Sequence, residues 1–459
     1  MSEALKNFNT INDTVFALST PVGGAIAVIR ASGPDSRRVL SHIFTGQIEA
    51  GRLVFGRITD GSRILDEAMA VFFRAPSSYT GEDMFELHLH GSYAVVSAVS
   101  ALLASLGLRH AEPGEFTKRA FLNGKMDLIQ ADAVMDLINS ETERSAGAAL
   151  DQLQGGLSRR IGEVEARLID LASELAAAMD YPEEMEDEAL SAVPEVLSPV
   201  ISELAELIEN GRGAKILREG AKLVILGLPN AGKSSLMNAL LGSERAIVTD
   251  IAGTTRDTLE EKLNILGVPV RIVDTAGLRE NAESPVEKIG ITRAESEAAS
   301  AECLLFIFDG SSGESSSEEL ALLKKADGKP AVFAVNKCDI SLESCKKYEA
   351  ALKAELNALA VSPDTVIIST KSGDGLEALK ALLAKKLGAS ESRAIVTNSR
   401  HIERLCFAKS ELTAALGESS TDLISVFISS ALSALSEITG REFSEELLDN
   451  IFTKFCVGK

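Results

Sequence analysis

The chain has no tryptophan and four tyrosines, and aromatic residues make up only 5% of it. That scarcity argues against the aromatic platforms on which RNA-recognition modules stack bases. Positive charge is also in short supply: 46 Lys and Arg stand against 67 Asp and Glu, a net charge of -21. Broad electrostatic coating of nucleic acid needs clustered cations, so any RNA contact must be local or shared with a partner. The five cysteines, Cys303, Cys338, Cys345, Cys406 and Cys456, show no paired ligand spacing; reduced thiols and no zinc are expected. No apolar run approaches the ~20 residues of a membrane span, and the polar start from Met1 to Asp13 has no signal-peptide pattern. A cytoplasmic protein without a membrane span is expected.

What is present is a set of ordered motifs. Gly227-Leu228-Pro229-Asn230-Ala231-Gly232-Lys233-Ser234 matches G-x-x-x-x-G-K-S. It follows an apolar run, Leu223 to Leu226, and precedes a helical pattern from Leu236 to Leu241, which makes a strand, a phosphate loop and a helix. Backbone N–H groups of such a loop point into one concavity around phosphates, Lys233 reaches the terminal phosphates, and the Ser234 hydroxyl, followed by Ser235, can ligate Mg²⁺. A strand from Val270 to Val273 then ends in Asp274-Thr275-Ala276-Gly277, where Asp274 can hold the metal through water and the Gly277 N–H can meet a γ-phosphate. Another, Ala331 to Val335, ends in Asn336-Lys337-Cys338-Asp339. The Asp339 carboxylate can accept from the two adjacent donors that guanine presents and adenine does not, and Lys337 can cover the base with its stem. Val366 to Ile368 leads to Ser369-Thr370-Lys371, similar to the Ser-Ala-Lys loop of small GTPases with Thr370 as a departure. Between phosphate loop and Asp274 lies Gly253-Thr254-Thr255-Arg256-Asp257, one of whose threonines can complete a Mg²⁺ shell.

With strands alternating with helical stretches, including Cys303 to Phe308 and Leu376 to Leu387, the centre of the chain reads as a Ras-like P-loop GTPase domain with a doubly wound, largely parallel sheet. The position at which Ras-type GTPases carry a water-orienting glutamine is Leu278, which has no polar atom. Spacing does not choose an arginine finger among Arg256, Arg271 and Arg279, so another cation can supply the missing charge.

The flanks have other periods. Leu157, Ile161, Val164, Leu168, Leu171, Leu175 and Ala178 form one helical stripe, and Leu423, Val426, Phe427, Ser430, Ala431, Ala434, Leu435 and Ile438 form a second. Ser444 is placed to cap a last helix bearing Leu447, Leu448, Ile451, Phe452 and Phe455. The economical reading is a discontinuous helical domain with the GTPase inserted into it; the alternative, two separate helical domains, would need two small cores where one suffices. The segment Glu183 to Glu188 is expected to be loose. The start of the chain reads as an α+β module with strands at Ile11–Leu18, Gly24–Arg30, Ala68–Phe73 and Met84–His90 and a helix at Val95–Leu106. The expected domains are an N-terminal domain over 1–123, the leading segment of the helical domain over 124–219, the GTPase over 220–387 and the trailing helical segment over 388–459. Glu86, His88 and His90 share one strand face, with Leu87 and Leu89 in the core.

Asp13-Thr14-Val15, Ile29-Arg30-Ala31-Ser32-Gly33, Thr80-Gly81-Glu82-Asp83, the run Pro113 to Lys125, the inserted GTPase and Cys456-Val457-Gly458-Lys459 together resemble the MnmE (TrmE) family of tRNA-modification GTPases. The resemblance covers the whole chain. It implies a homodimer formed through an N-terminal folate-binding domain, with Arg30, Glu86, Lys125 and Lys459 at the positions that bind a tetrahydrofolate derivative (5-formyltetrahydrofolate). It implies potassium stimulation, with K⁺ held by Asn230 and by oxygens of the loop matching Thr249, Ile251 and Thr254, and Mg²⁺ ligated by Ser234 and Thr255. It further implies that Glu287 is the catalytic glutamate and that Cys456 serves modification activity. The family task is addition of a carboxymethylaminomethyl or aminomethyl group at carbon 5 of the wobble uridine of certain tRNAs, with a flavin-dependent partner, MnmG (GidA), in a heterotetramer or larger complex. The competing expectation is a ribosome-assembly or regulatory GTP switch without modification chemistry.

Overall fold

The structure, a computed structural model, describes residues 13–244, 260–274, 298–326, 328–387 and 398–458. It divides into two compact units: Met1–Met135, Gln152–Ile201 and Phe407–Lys459 form the first, and Asp136–Asp151 with Ser202–Cys406 the second.

The first unit begins with a six-stranded sheet, β1 (Val15–Leu18), β2 (Ile26–Ser32), β3 (Val54–Thr59), β4 (Ile64–Phe73), β5 (Met84–His90) and β6 (Arg109–His110), in the order β3-β4-β5-β2-β1-β6. All neighbours are antiparallel except β1 and β6. Alternation along β2 and β5 sends Ala27, Ile29, Ala31, Phe85, Leu87 and Leu89 into a core closed by the Ser36–Ile43 and Tyr93–Ser105 helices. β3 is absent from the sequence reading because Gly56 and Arg57 interrupt its apolar alternation. β4 starts before the expected Ala68 because Asp66 and Glu67 are half of a ladder with Ile58 and Arg57 rather than a loop.

The helical portion of this unit rests on the stripe read from the sequence in Gly156–Asp180, whose Leu157, Ile161, Val164, Leu168, Leu171, Leu175 and Ala178 are buried. The second stripe needs correction. In Thr421–Thr439 the buried residues are Ile424, Ile428, Ala431, Ala434, Leu435 and Ile438, while Leu423 and Val426 face outward; the true seam steps by four and three from Ile424, and the surplus apolar residues beside it disguise the phase. This helix is also the one described helix whose length and apolar composition would suit a membrane span. Its seam packs on Gly156–Asp180, where Ser436 Oγ donates to Glu165 Oε1 at 3.2 Å, so it is a core helix.

Ser444 caps the final helix, Glu445–Phe452, by accepting from Leu447 N. The Glu183–Glu188 segment is helical, within Pro182–Glu219. Pro182 suits a first turn, where no intrahelical N–H bond is lost, and Glu183 and Glu184 meet the positive end of the helix dipole.

The second unit carries β7 (Ala221–Leu226), β8 (Glu260–Ile265), β9 (Val268–Asp274), β10 (Cys303–Asp309), β11 (Ala331–Asn336) and β12 (Thr365–Ile367), in the order β12-β11-β10-β7-β9-β8. Only β8 is antiparallel to its neighbour. Leu236 and Leu240 of Lys233–Glu244 and Leu379 and Leu383 of Leu376–Lys386 pack on one face. Leu323, Tyr348, Leu352 and Leu356, from Ser317–Leu323 and Leu342–Ala358, pack on the other. The sheet is doubly wound, as its alternating pattern predicts.

Candidate functional site

The carboxyl ends of β7, β10 and β11 meet where the strand order turns back on itself, the place at which open α/β sheets bind ligands. β7 delivers the phosphate loop. Gly227 and Gly232 are required by close approach: a Cβ at Gly227 would lie 2.4 Å from Ile307 O, and one at Gly232 2.3 Å from Asn336 Nδ2. Gly232 also sits at φ 106 and Asn230 at φ 65, left-handed conformations that turn successive N–H groups the same way. Lys233 begins the helix and its Nζ donates to Gly227 O and Leu228 O at 3.0 and 2.9 Å, so its ammonium lies over the loop. Ser234 and Ser235 are exposed in the first helical turn and Asn230 is exposed in the loop, while Ala231 is buried. An exposed hydroxyl at a helix N-terminus fits a hard cation bound beside phosphate.

Asn336 ties three loops together. Its Nδ2 donates to Ala231 O of the phosphate loop at 2.9 Å, and its Oδ1 accepts from Thr370 N at 3.1 Å. Lys337 adopts φ 72 and its Nζ pairs with Asp309 Oδ2 at 2.5 Å. Burial raises the Asp309 carboxyl, but Lys337 and Ser311 outweigh it and hold it below the usual carboxylate range. Asp309 is missed in the sequence, although its position at the end of the strand beside β11 is the signal that finds it. Asp339 is exposed; its Oδ1 accepts from Ser369 Oγ at 2.7 Å, and Ser369 Oγ in turn accepts from Ser372 N at 3.1 Å. The buried Ser369 thus aims one carboxylate, while Lys371 is exposed at the loop edge. Asp274 ends β9, on the far side of β7 from β10. Thr249, Ile251, Thr254, Thr255, Thr275, Ala276, Gly277, Leu278, Glu287 and Lys459 lie outside the described residues.

In the first unit, Arg30 on β2 and Glu86 on β5 face each other across the ladder and pair at 2.8 Å. The Arg30 guanidinium lies 5.3 Å from the Tyr79 ring centroid and 5.7 Å from that of Phe116, a cation held between two π faces. Tyr79 Oη is 2.9 Å from Thr117 Oγ1; burial pushes its phenol up, more than Thr117 and the Arg30 charge lower it. His88 Nε2 lies 3.5 Å from Glu86 Oε2, and His90 Nδ1 2.7 Å from Asp66 Oδ1. Lys125 is exposed and donates to Pro76 O at 3.0 Å, which sets it apart from the Arg30–Glu86 pair by partner. Cys456 is exposed, and its carbonyl accepts from Gly114 N at 3.4 Å; Gly458 O accepts from Ser19 Oγ at 3.1 Å, so the chain's last described residues lie against the end of β1.

The sequence reading does not identify what holds the Pro113 to Lys125 run. Arg119, fully buried on Glu115–Leu122, donates to Asp13 Oδ1 at 2.7 Å, to Glu115 Oε1 at 2.8 Å and to Glu82 Oε2 at 3.2 Å. Burial raises the Asp13 and Glu115 carboxyls, yet bonds from Arg119 and Arg109 outweigh it and hold both below their ordinary values.

Residues 14–125 match the family model described as the GTP-binding protein TrmE N-terminus, and residues 128–456 match that of the MnmE helical domain. The chain belongs to the MnmE family of tRNA modification GTPases. It is 42% identical over 464 residues to the tRNA modification GTPase MnmE of Natranaerobius thermophilus, covering 97% of this chain and 99% of that one. The MnmE of Heliobacterium modesticaldum is 38% identical over 473 residues, with 98% and 100% covered. That of Thermotoga maritima is 40% identical over 457 residues, with 97% and 100% covered. This MnmE-family chain is therefore a GTP hydrolase acting in tRNA modification, and Mg²⁺ and nucleotide are the ligands its phosphate loop is built for.

Proposed function

We propose that the chain is a potassium-stimulated GTPase, homodimeric and cytoplasmic, that modifies carbon 5 of the wobble uridine of certain tRNAs by carboxymethylaminomethyl or aminomethyl addition. It does so with the flavin-dependent partner MnmG (GidA), in a heterotetramer or larger complex, using a one-carbon unit from a tetrahydrofolate derivative. The domains divide at 1–123, 124–219, 220–387 and 388–459.

The observation that carries the nucleotide half is Asn336, which joins the phosphate loop to the guanine-side loop and leaves Asp339 exposed and aimed by Ser369. Asp339 selects guanine by accepting from two adjacent donors, and Lys337, braced by Asp309, covers the base. Ser234 and Thr255 would ligate Mg²⁺; Asn230, Thr249, Ile251 and Thr254 would hold K⁺, which when bound supplies positive charge where an arginine finger would stand. Glu287 takes the water-orienting role that Leu278 cannot perform.

For the folate half, the supporting observation is Arg30, a half-buried cation fixed between Tyr79 and Phe116 and paired with Glu86. Together these groups offer a donor and an acceptor beside aromatic faces, chemistry that suits a pteridine, with Lys125 and Lys459 for a glutamate tail. Cys456 contributes to the modification step. The test is binding of 5-formyltetrahydrofolate to the full chain by calorimetry. Saturable binding that Arg30→Met weakens about tenfold or more, the loss of one charge-assisted contact, is expected; equal affinity in both proteins removes Arg30 from the site.

A further inference from the structure

Arg30 alternates along β2 with Ile29 and Ala31, which enter the main core of the N-terminal sheet, so it stands on the opposite face. Ala17 of β1 and Glu86 of β5 flank it there. Both of its contacts with Glu86, from Nε at 2.9 Å and from Nη2 at 2.8 Å, use the single oxygen Oε1. One shared acceptor fixes a guanidinium at a point and leaves its plane to be set by what lies on its faces. Those are Tyr79 and Phe116, and both belong to a small core with Val15, Ala17 and Ala111.

The two rings are held differently. Phe116 is fully buried and rides on the Glu115–Leu122 helix, which the buried Arg119 fastens to Asp13 and Glu82. Tyr79 is half-buried and lies in the connection between β4 and β5. The chain beside it is tied down at Thr80, whose Oγ1 is 2.7 Å from Ser32 Oγ and whose carbonyl accepts from Asn123 Nδ2 at 2.8 Å. Those bonds hold the backbone and leave the side-chain torsions of Tyr79 unset. Thr117 sets them. This residue is fully buried, its Oγ1 is 2.9 Å from Tyr79 Oη, and among the described residues that hydroxyl has no other partner. Each oxygen gives up water on folding and has the other in its place, so the bond fixes the tilt of the ring against the guanidinium.

We infer that Thr117 is a positioning residue for ligand binding at Arg30: it sets the Tyr79 ring, and the ring sets the plane of the guanidinium. This role rests on the folate reading of Arg30 and Glu86 and adds to it a residue whose own hydrogen bond goes to neither. Without the Thr117 hydroxyl the ring is free to turn and Arg30 recovers rotamer freedom. A ligand then has to remove that freedom when it binds, and affinity falls.

The experiment uses the full chain and two readouts: calorimetric titration with 5-formyltetrahydrofolate and, without ligand, the rate at which phenylglyoxal modifies Arg30, followed by peptide mass. Thermal unfolding is recorded alongside. Thr117→Val, which keeps the shape and loses the hydroxyl, is expected to weaken binding by about fivefold, the cost of ordering one long side chain again, and to speed Arg30 modification by a similar factor. Thr117→Ser returns both to the parental values. Tyr79→Phe removes the same bond from its other end and should reproduce both changes, and the double variant should lose no more affinity than either single one. Two apolar groups facing each other in the double variant recover thermal stability without recovering affinity, a split that a role in stability alone does not give. Should Thr117→Val fail to fold, Tyr79→Phe carries both readouts. A folded variant with parental protection of Arg30 overturns the inference, and so does one with faster modification but parental affinity. A parental chain that does not bind 5-formyltetrahydrofolate removes the folate reading instead; the modification rates then decide by themselves whether Thr117 holds Arg30.

Discussion

Replacing Asn336 with alanine removes one side chain and releases three loops. In the native protein its amide satisfies the carbonyl of Ala231 and the N–H of Thr370, and the residue is 1% exposed. Each buried polar group deprived of its partner costs about 1–3 kcal/mol, and partial entry of water recovers some of this, so the pair costs about 2–4 kcal/mol. For a unit of this size each kcal/mol lowers the midpoint by about 2–4 °C, so the unfolding transition of the GTPase unit should fall by about 4–16 °C in differential scanning calorimetry. The loosened phosphate loop serves GDP and GTP alike. Their affinities, measured by fluorescent-nucleotide titration, should fall together by about tenfold or more, since 1.4 kcal/mol of lost preorganisation is a factor of ten. An unchanged transition with unchanged affinities would refute the role given to Asn336; a fall for GTP alone would place its effect at the γ-phosphate instead.

Asp339→Asn presents guanine with one donor where two acceptors are needed, and GTP affinity should fall by about a hundredfold, the loss of a charge-assisted pair, while the melting transition stays near that of the parent; nucleotide titration and calorimetry check this together. Arg119→Met leaves Glu82 without its cation and Asp13 and Glu115 with Arg109 alone, and removal of one partner from a buried ion cluster costs about 3–5 kcal/mol, read by urea denaturation. The folded-state carboxyls of Asp13 and Glu115 are held below their ordinary values, so their contribution to stability is present above the unfolded pKa, about 4, and is lost as pH falls through the folded values. The parent should therefore lose stability on acidification below about pH 4 more steeply than Arg119→Met. Glu287→Ala should retain GTP affinity and lose most of its turnover, as expected of a group that acts only in the transition state; unchanged kcat returns that role to another residue.

Much of the nucleotide site is legible in the sequence because its motifs bind backbone geometry to residue type: Gly232 admits no Cβ, and Asp339 must follow a strand end. The phase of Thr421–Thr439 is not legible, since Leu423 and Val426 are as apolar as Ile424 and only packing against Gly156–Asp180 chooses between them. Strand β3 is hidden by Gly56 and Arg57. Arg119 and Thr117 escape for another reason: their partners, Asp13 and Tyr79, are remote in sequence, and nothing in a local pattern announces a hydrogen bond across such a distance. Arg30 is reached through resemblance alone, and the aromatic pair that fixes it appears only once β2, Tyr79 of the β4–β5 connection and Phe116 of the Glu115–Leu122 helix are brought together.

The central proposal is a GTPase whose missing catalytic charge comes from a monovalent cation rather than an arginine. The direct measurement is the rate of GTP hydrolysis by the full chain in K⁺ and in Na⁺ at equal ionic strength. The account predicts a rate at least about tenfold higher in K⁺, a stabilisation of the transition state by about 1.4 kcal/mol or more, with Asn230→Ala abolishing the difference. Equal rates in the two salts would contradict it.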